Sequence, residues 1–217
     1  MAIENLPLGK AINLGLRQAM LNDPKVILMG EDIGTLGGVF RVTDGLQKDF
    51  GEDRVIDSPL AESGIVGTAV GLAMRGYRPV LEIQFDGFVF PAFDQIVTMV
   101  AKHHYRSGGV TPMPIVIRIP YGGGIGAVEH HSESPEAYFA HTPGLRVLTP
   151  ADAAEAGVRH RCRQIVGIFP QRAGEIGLDQ AGRDAVGADV LRPPFDRQVA
   201  RQLHVGRLGD AVGAQGI

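Results

Sequence analysis

The chain has 217 residues, enough for one sizeable domain or for one domain and part of a second. Hydrophobic residues make up 44% and charged residues 21%, as in ordinary soluble globular proteins, and a net charge of −3 leaves no basic footprint for a nucleic-acid backbone. The opening residues lack the basic stretch and long apolar core of a signal peptide, no apolar run is long enough to span a bilayer, and the single Cys162 excludes an intrachain disulfide framework, so a reducing cytoplasm is the expected compartment.

Residues 8–21 place Leu8, Ala11, Ile12, Leu16 and Ala19 at roughly helical spacing, and Asn22-Asp23-Pro24 ends the helix this predicts. Val26-Ile27-Leu28-Met29 reads as a short buried strand. A weaker helical pattern over 42–49 is closed by Gly51, Val55-Ile56 is a brief strand, and 60–74 is a helix. Pro79 to Phe85 is a predicted strand, 91–105 another helix, Pro114 to Ile119 a strand, and Val147-Leu148 the last convincing one. Strands alternating with helices predict an α/β fold, with a mostly parallel sheet covered on both faces.

From Gly157 onward the composition changes. The remaining residues include nine Arg and ten Gly but no Lys, Ser, Thr, Asn, Tyr, Met or Trp, and neither the helical nor the strand period persists. Linkers are ordinarily rich in Ser, Lys and Glu, so this is odd even for disorder. The expected organisation is a domain over 1–156 and an atypical tail over 157–217. That tail reads either as a frame change in GC-rich coding DNA or as a genuine, poorly patterned extension.

Glu62 is the first candidate site residue. Asp57-Ser58-Pro59 offers a helix N-cap with proline at the first helical position, which would place Glu62 in the first turn, where the helix dipole favours a carboxylate. The functional alternative is a carboxylate just past a strand's carboxyl end, where open α/β sheets bind ligands, with apolar neighbours raising its pKa. The helix behind it carries Gly64, Gly67 and Gly71, spaced for a close helix contact either inside the domain or with another subunit.

Gly122, Gly124 and Ala127 in YGGGIGA match a phosphate-binding fingerprint only weakly, because His130, His131 and Pro135 follow too soon for an uninterrupted helix. The adjacent pairs His103-His104 and His130-His131 are poor chelates, since neighbouring side chains diverge. An imidazole in EHHSESPE is better placed for catalysis, with a surface histidine as the alternative. No GxSxG elbow supports covalent hydrolase chemistry.

Five blocks together carry a resemblance. GEDIGTLGGVFRVTDGL (30–46), VIDSPLAESGIVGTAVGLA (55–73), EIQFDGFVFPAFDQI (82–96), YRSGG (105–109) and HHSESPEAYFAHTPGLRVLTP (130–150) are similar to the β subunit of the E1 component of 2-oxoacid dehydrogenase complexes. The third block resembles the branched-chain (2-oxoisovalerate) members most, with pyruvate and acetoin members close. The resemblance implies a transketolase-like domain that supplies the pyrimidine half of a thiamine diphosphate site. Glu62 matches the glutamate that hydrogen-bonds the aminopyrimidine N1′ and so promotes loss of the thiazolium C2 proton. Leu60, Gln84 and Phe88 match the pyrimidine pocket, Phe88 standing where some members have tyrosine, and His131 matches an active-site histidine.

The same resemblance implies oxidative decarboxylation of a 2-oxo acid, with acyl transfer to a lipoyl-bearing E2. Pyrophosphate and Mg2+ would be held by an α subunit in an α2β2 heterotetramer, and nothing in this chain resembles the GDG…N motif such binding needs. A K+ site in relatives uses backbone oxygens near Ile115 together with groups in a segment that the tail does not match, so here that site would be incomplete. Pyruvate specificity, and a non-catalytic remnant that only binds the α subunit, remain as other readings. If the tail is a frame change, sequencing the coding DNA across codons 150–217 is expected to show a one- or two-base shift near codon 157 that restores alternating strands and helices; no such frame would make it genuine.

Overall fold

The structure is a computed structural model and describes residues 6–150 and 165–170. Helix α1, Leu8–Asn22, turns Leu8, Ala11, Ile12 and Met20 inward, and the Arg54 guanidinium caps its end by donating to the carbonyls of Met20 and Asp23, at 3.0 and 2.9 Å. Strand β1, Val26–Gly30, is buried at every residue. Its alternation serves two layers: Val26 and Leu28 pack with Met20, Leu46 and Val55, while Ile27 and Met29 pack with Ile65, Ala69 and Leu81.

The remaining elements are α2 (Leu46–Phe50), β2 (Val55–Asp57), α3 (Glu62–Met74), β3 (Arg78–Glu82), α4 (His103–Arg106), β4 (Val116–Tyr121), α5 (Glu136–Ala140), β5 (Val147–Leu148) and β6 (Ile165–Pro170). The strands form one sheet in the order β2-β1-β3-β4-β6-β5, every pair parallel. This is the predicted α/β architecture. Among the described residues no helix is long and apolar enough to cross a membrane.

Four expectations change. The helix expected over 42–49 begins only at Leu46, because Asn13 Nδ2 donates to the carbonyls of Val42 and Asp44 and holds that stretch as a turn. The single helix expected over 91–105 is three pieces: a 3-10 segment Asp86–Ala92 containing Pro91, a π-type turn Gln95–Val100, and α4. Proline removes an amide donor, and Thr98 Oγ1 bonds the Asp94 carbonyl, so the regular ladder is interrupted at both places.

Helix α3 starts at Glu62 with Ala61 as N-cap, not at Pro59, and no side chain caps it. The Asp57 carboxylate instead accepts from the Gly34 amide at 2.6 Å. Finally, Val147-Leu148 is not the last strand. Ile165–Pro170, inside the expected tail, pairs with both β4 and β5 and lies between them. Its run of Ile and Val favours a strand, although the composition around it shows no strand period. The rest of the tail, including Cys162, lies outside the described residues.

The glycine face of α3 is open. Gly64, Gly67 and Gly71 are exposed, and a Cβ built at Gly67 or Gly71 would meet nothing within 4 Å among the described residues, so packing against those residues does not explain them. Alanine at either position is expected to stabilise the chain by about 0.5–1 kcal/mol in urea unfolding. Destabilisation by both would reveal a close neighbour on this face.

Candidate functional site

The sheet order contains a switch. β2 and β3 lie on opposite sides of β1, so the chain reverses direction across β1, and in open parallel sheets the crevice beyond the strand ends at such a point is where ligands bind. Residues just past β1, β3 and β4, together with the start of α3, gather there. The turn after β1 carries Glu31 and Asp32, and close packing holds it. A Cβ on Gly30 would stand 2.8 Å from the Glu82 carbonyl, and Gly38 closes the turn by donating to the Asp32 carbonyl at 2.8 Å.

Glu62, the first residue of α3, is 6% exposed. Glu31 is 7% exposed, and its Oε1 has no hydrogen-bond partner among the described residues. Burial pushes the Glu31 carboxyl above its ordinary range, and the neighbouring charges of Glu62 and Asp32 push it further in the same direction. Across the switch point Gln84 Nε2 donates to Asp32 Oδ2 at 3.2 Å. Below it, Glu82 and Arg118, register partners on β3 and β4, form a buried ion pair.

Beyond Gln84 the site becomes aromatic. Phe85 packs edge-on against Phe40 and Phe88, with centroids 5.8 and 5.7 Å apart, and the His131 ring lies 4.4 Å from Phe85 and 5.2 Å from Phe88. The structure thus links Glu62 to His131 through Glu31, Asp32, Gln84 and the phenylalanines. Leu60 stands just before α3, 76% exposed. Ile115 is fully buried next to the amino end of β4, the opposite edge of the sheet from this crevice.

Other candidates stay apart. After the glycines of YGGGIG no helix begins until α5 at Glu136, so no helix N-terminus faces them. His104 Nδ1 lies 3.1 Å from the Thr111 carbonyl, and among the described residues no group of three or more potential metal ligands occurs. Glu31 and Asp32 were missed as site residues. Their signal is a carboxylate pair directly after a buried strand, which the same topological rule that singled out Glu62 should have flagged.

This is a parallel α/β sheet whose buried carboxylates and aromatic rings converge at its carboxyl edge. The chain belongs to the transketolase pyrimidine-binding domain family: residues 4–162 match the model described as "Transketolase, pyrimidine binding domain". It is 66% identical over 154 residues to a pyruvate dehydrogenase E1 component subunit beta of Leifsonia xyli, covering 71% of this chain and 46% of that protein. It is 54% identical over 204 residues to a 3-methyl-2-oxobutanoate dehydrogenase subunit beta of Mycobacterium tuberculosis, covering 92% of this chain, and so running well past residue 157, and 57% of that protein. The chain spans about half the length of these curated relatives. Among solved structures, a split-gene transketolase described as an inactive beta4 tetramer shares the fold, with a TM-score of 0.59 at 22% identity over 76% of this chain and 51% of that one.

The buried carboxyl of Glu31 makes stability depend on pH. Because its folded pKa is raised, its contribution is fully present below the unfolded value and is lost as pH rises through the folded one. Glu31→Gln is therefore expected to raise the melting temperature by about 2–4 °C at pH 8 and by less at pH 5. An equal change at the two pH values, followed by circular dichroism, would contradict this.

Proposed function

We propose that this chain is the β subunit of the E1 component of a 2-oxoacid dehydrogenase, contributing the pyrimidine half of a thiamine diphosphate site. The single observation that carries the reading is Glu62: a carboxyl 6% exposed on the first turn of α3, at the switch-point edge, beside a second buried carboxyl with an unpartnered oxygen. Burying two carboxyls together is costly unless a ligand satisfies them. An aminopyrimidine, with ring nitrogens and an amino group, fits that requirement.

When bound, thiamine diphosphate supplies the carbon nucleophile and electron sink that decarboxylation of a 2-oxo acid requires. Glu62 holds a proton at the pyrimidine N1′. Gln84, anchored on Asp32, and the face of Phe88 orient the ring and exclude water, with Leu60 as an exposed flank. His131, held against Phe85 and Phe88, serves as acid or substrate contact near the reacting carbonyl. Mg2+ and the pyrophosphate are left to an α subunit in an α2β2 assembly, and transfer of the acyl group to a lipoyl-bearing E2 would need the family's C-terminal domain as well. The exposed glycine face of α3, flanked by the exposed side chains of Leu60 and Met74, supports a close helix contact with another subunit. A K+ site at the Ile115 backbone would be structural and separate from this crevice.

We assign branched-chain 2-oxo acids as substrates, from the wording of residues 82–96 and the 3-methyl-2-oxobutanoate dehydrogenase relative. Pyruvate is the second reading, favoured by the 66% identity to a pyruvate dehydrogenase subunit. In a complex reconstituted with its α subunit, Glu62→Gln is expected to lower decarboxylation by about 10²–10⁴-fold while assembly, measured by sedimentation, is unchanged. Normal turnover by that variant would sink the assignment, and assembly without any thiamine-dependent activity in the unsubstituted chain would make it a docking remnant.

A further inference from the structure

Asp86 is the most deeply buried acid of the described residues, at 0% exposure, and it takes no part in the chemistry above. It opens the 3-10 segment that follows β3. One carboxylate oxygen, Oδ1, accepts from the amide of Gly87 at 2.9 Å; the other, Oδ2, accepts from the amide of Glu133 at 2.6 Å, 47 residues away. A carboxylate receiving two backbone amides in a dry setting is a strong, directional clamp. The far end of that clamp is two residues from His131.

Further contacts fix the same loop. The Gly87 amide donates to the His130 carbonyl at 3.2 Å, and the Gly122 amide donates to the Glu133 carbonyl at 2.8 Å, so both polar groups of the Glu133 backbone are held. Gly87 is required by this approach: a Cβ there would lie 2.5 Å from His130 Cα. His130 itself is held at φ +66°, a left-handed conformation that a non-glycine residue keeps only when its surroundings impose it. The two rings that cradle His131, Phe85 and Phe88, flank Asp86 and Gly87 in sequence.

We propose that Asp86, with Gly87, is the positioning device for His131: it clamps the 130–133 loop onto the segment that carries Phe85 and Phe88, and so fixes the imidazole at the crevice. The proposal rests on the reading of His131 as an active-site residue. Among the described residues the hydrogen-bond partners of the Asp86 carboxylate are these two amides, the neighbouring core is apolar, and the loop it holds lies on the surface. Its energetic cost, a carboxyl raised above its usual range by burial and only partly relieved by the two amides, is what a purely packed contact would avoid.

The test has one readout on the full chain alone and one on the complex. In the histidine Cε1–H region of a proton–carbon correlation spectrum, with His131 assigned by His131→Gln, the His131 signal is expected upfield through the ring currents of Phe85 and Phe88. Asp86→Asn keeps the shape but leaves one acceptor for two amides, and should move that signal towards the free-histidine position while His103 and His104 stay. Gly87→Ala, which leaves Asp86 intact, should do the same. In the reconstituted complex Asp86→Asn should lower kcat about 10-fold with KM and cofactor affinity little changed, and adding it to His131→Ala should cost nothing further. An unmoved His131 signal in both variants overturns the proposal, as does a normal kcat for Asp86→Asn when His131→Ala is slow. A normal rate for His131→Ala overturns the catalytic reading of that residue instead, and with it the purpose assigned to the clamp.

Discussion

The close approach of β1 to β3 governs everything else. Gly30 ends β1 with its α-carbon so near the Glu82 carbonyl that no side chain fits, and this lets the chain turn at once into Glu31 and Asp32 rather than running on past the sheet. Because β2, β3 and β4 run parallel to β1, the residues that follow them emerge at the same edge. Two helical layers then bury β1 on both faces, so its position cannot drift. The crevice inherits that rigidity, which matters for any chemistry that depends on geometry more than on flexibility.

Buried charge is distributed along the edge in two distinct ways. Glu82 and Arg118 form an ion pair across adjacent strands, so each of these buried charges has its opposite beside it. Among the described residues Glu31 and Glu62 have no such cation, and the charge of Glu62 makes the ionisation of Glu31 harder. Asp86 lies between these extremes, with two amide dipoles as its main support and the His131 charge adding less. The contrast separates a carboxyl paired with a cation, a carboxyl held by amides, and a pair of buried carboxyls facing each other.

Much of the fold was legible because its signals are local and periodic. Helix α1, strand β1 and the α3 body follow from apolar spacing, and Gly51 did end α2, at φ +88°. Other features depend on distant partners. Asp57 reads as a helix cap until Gly34, 23 residues earlier, claims its carboxylate. The break within 86–106 turns on Pro91 and Thr98, each tolerable in a helix pattern until the hydrogen bonds are traced. In the site, Glu62 was visible from its position after a strand and from family resemblance, whereas Asp86 and its partner Glu133 belong to segments that only folding brings together.

The sheet order bears on how the chain is made. β5 is synthesised before β6, yet among the described residues its one sheet neighbour is β6, which itself sits against β4. A ribosome that has delivered β4 and β5 has therefore not delivered the strand that joins them. Until residues 165–170 emerge, Val116–Tyr121 presents a bare row of amides and carbonyls on its outer side, the kind of edge on which nascent chains pair wrongly. A pause in translation over this interval would make the six residues from Ile165 the point at which correct closure competes with aggregation.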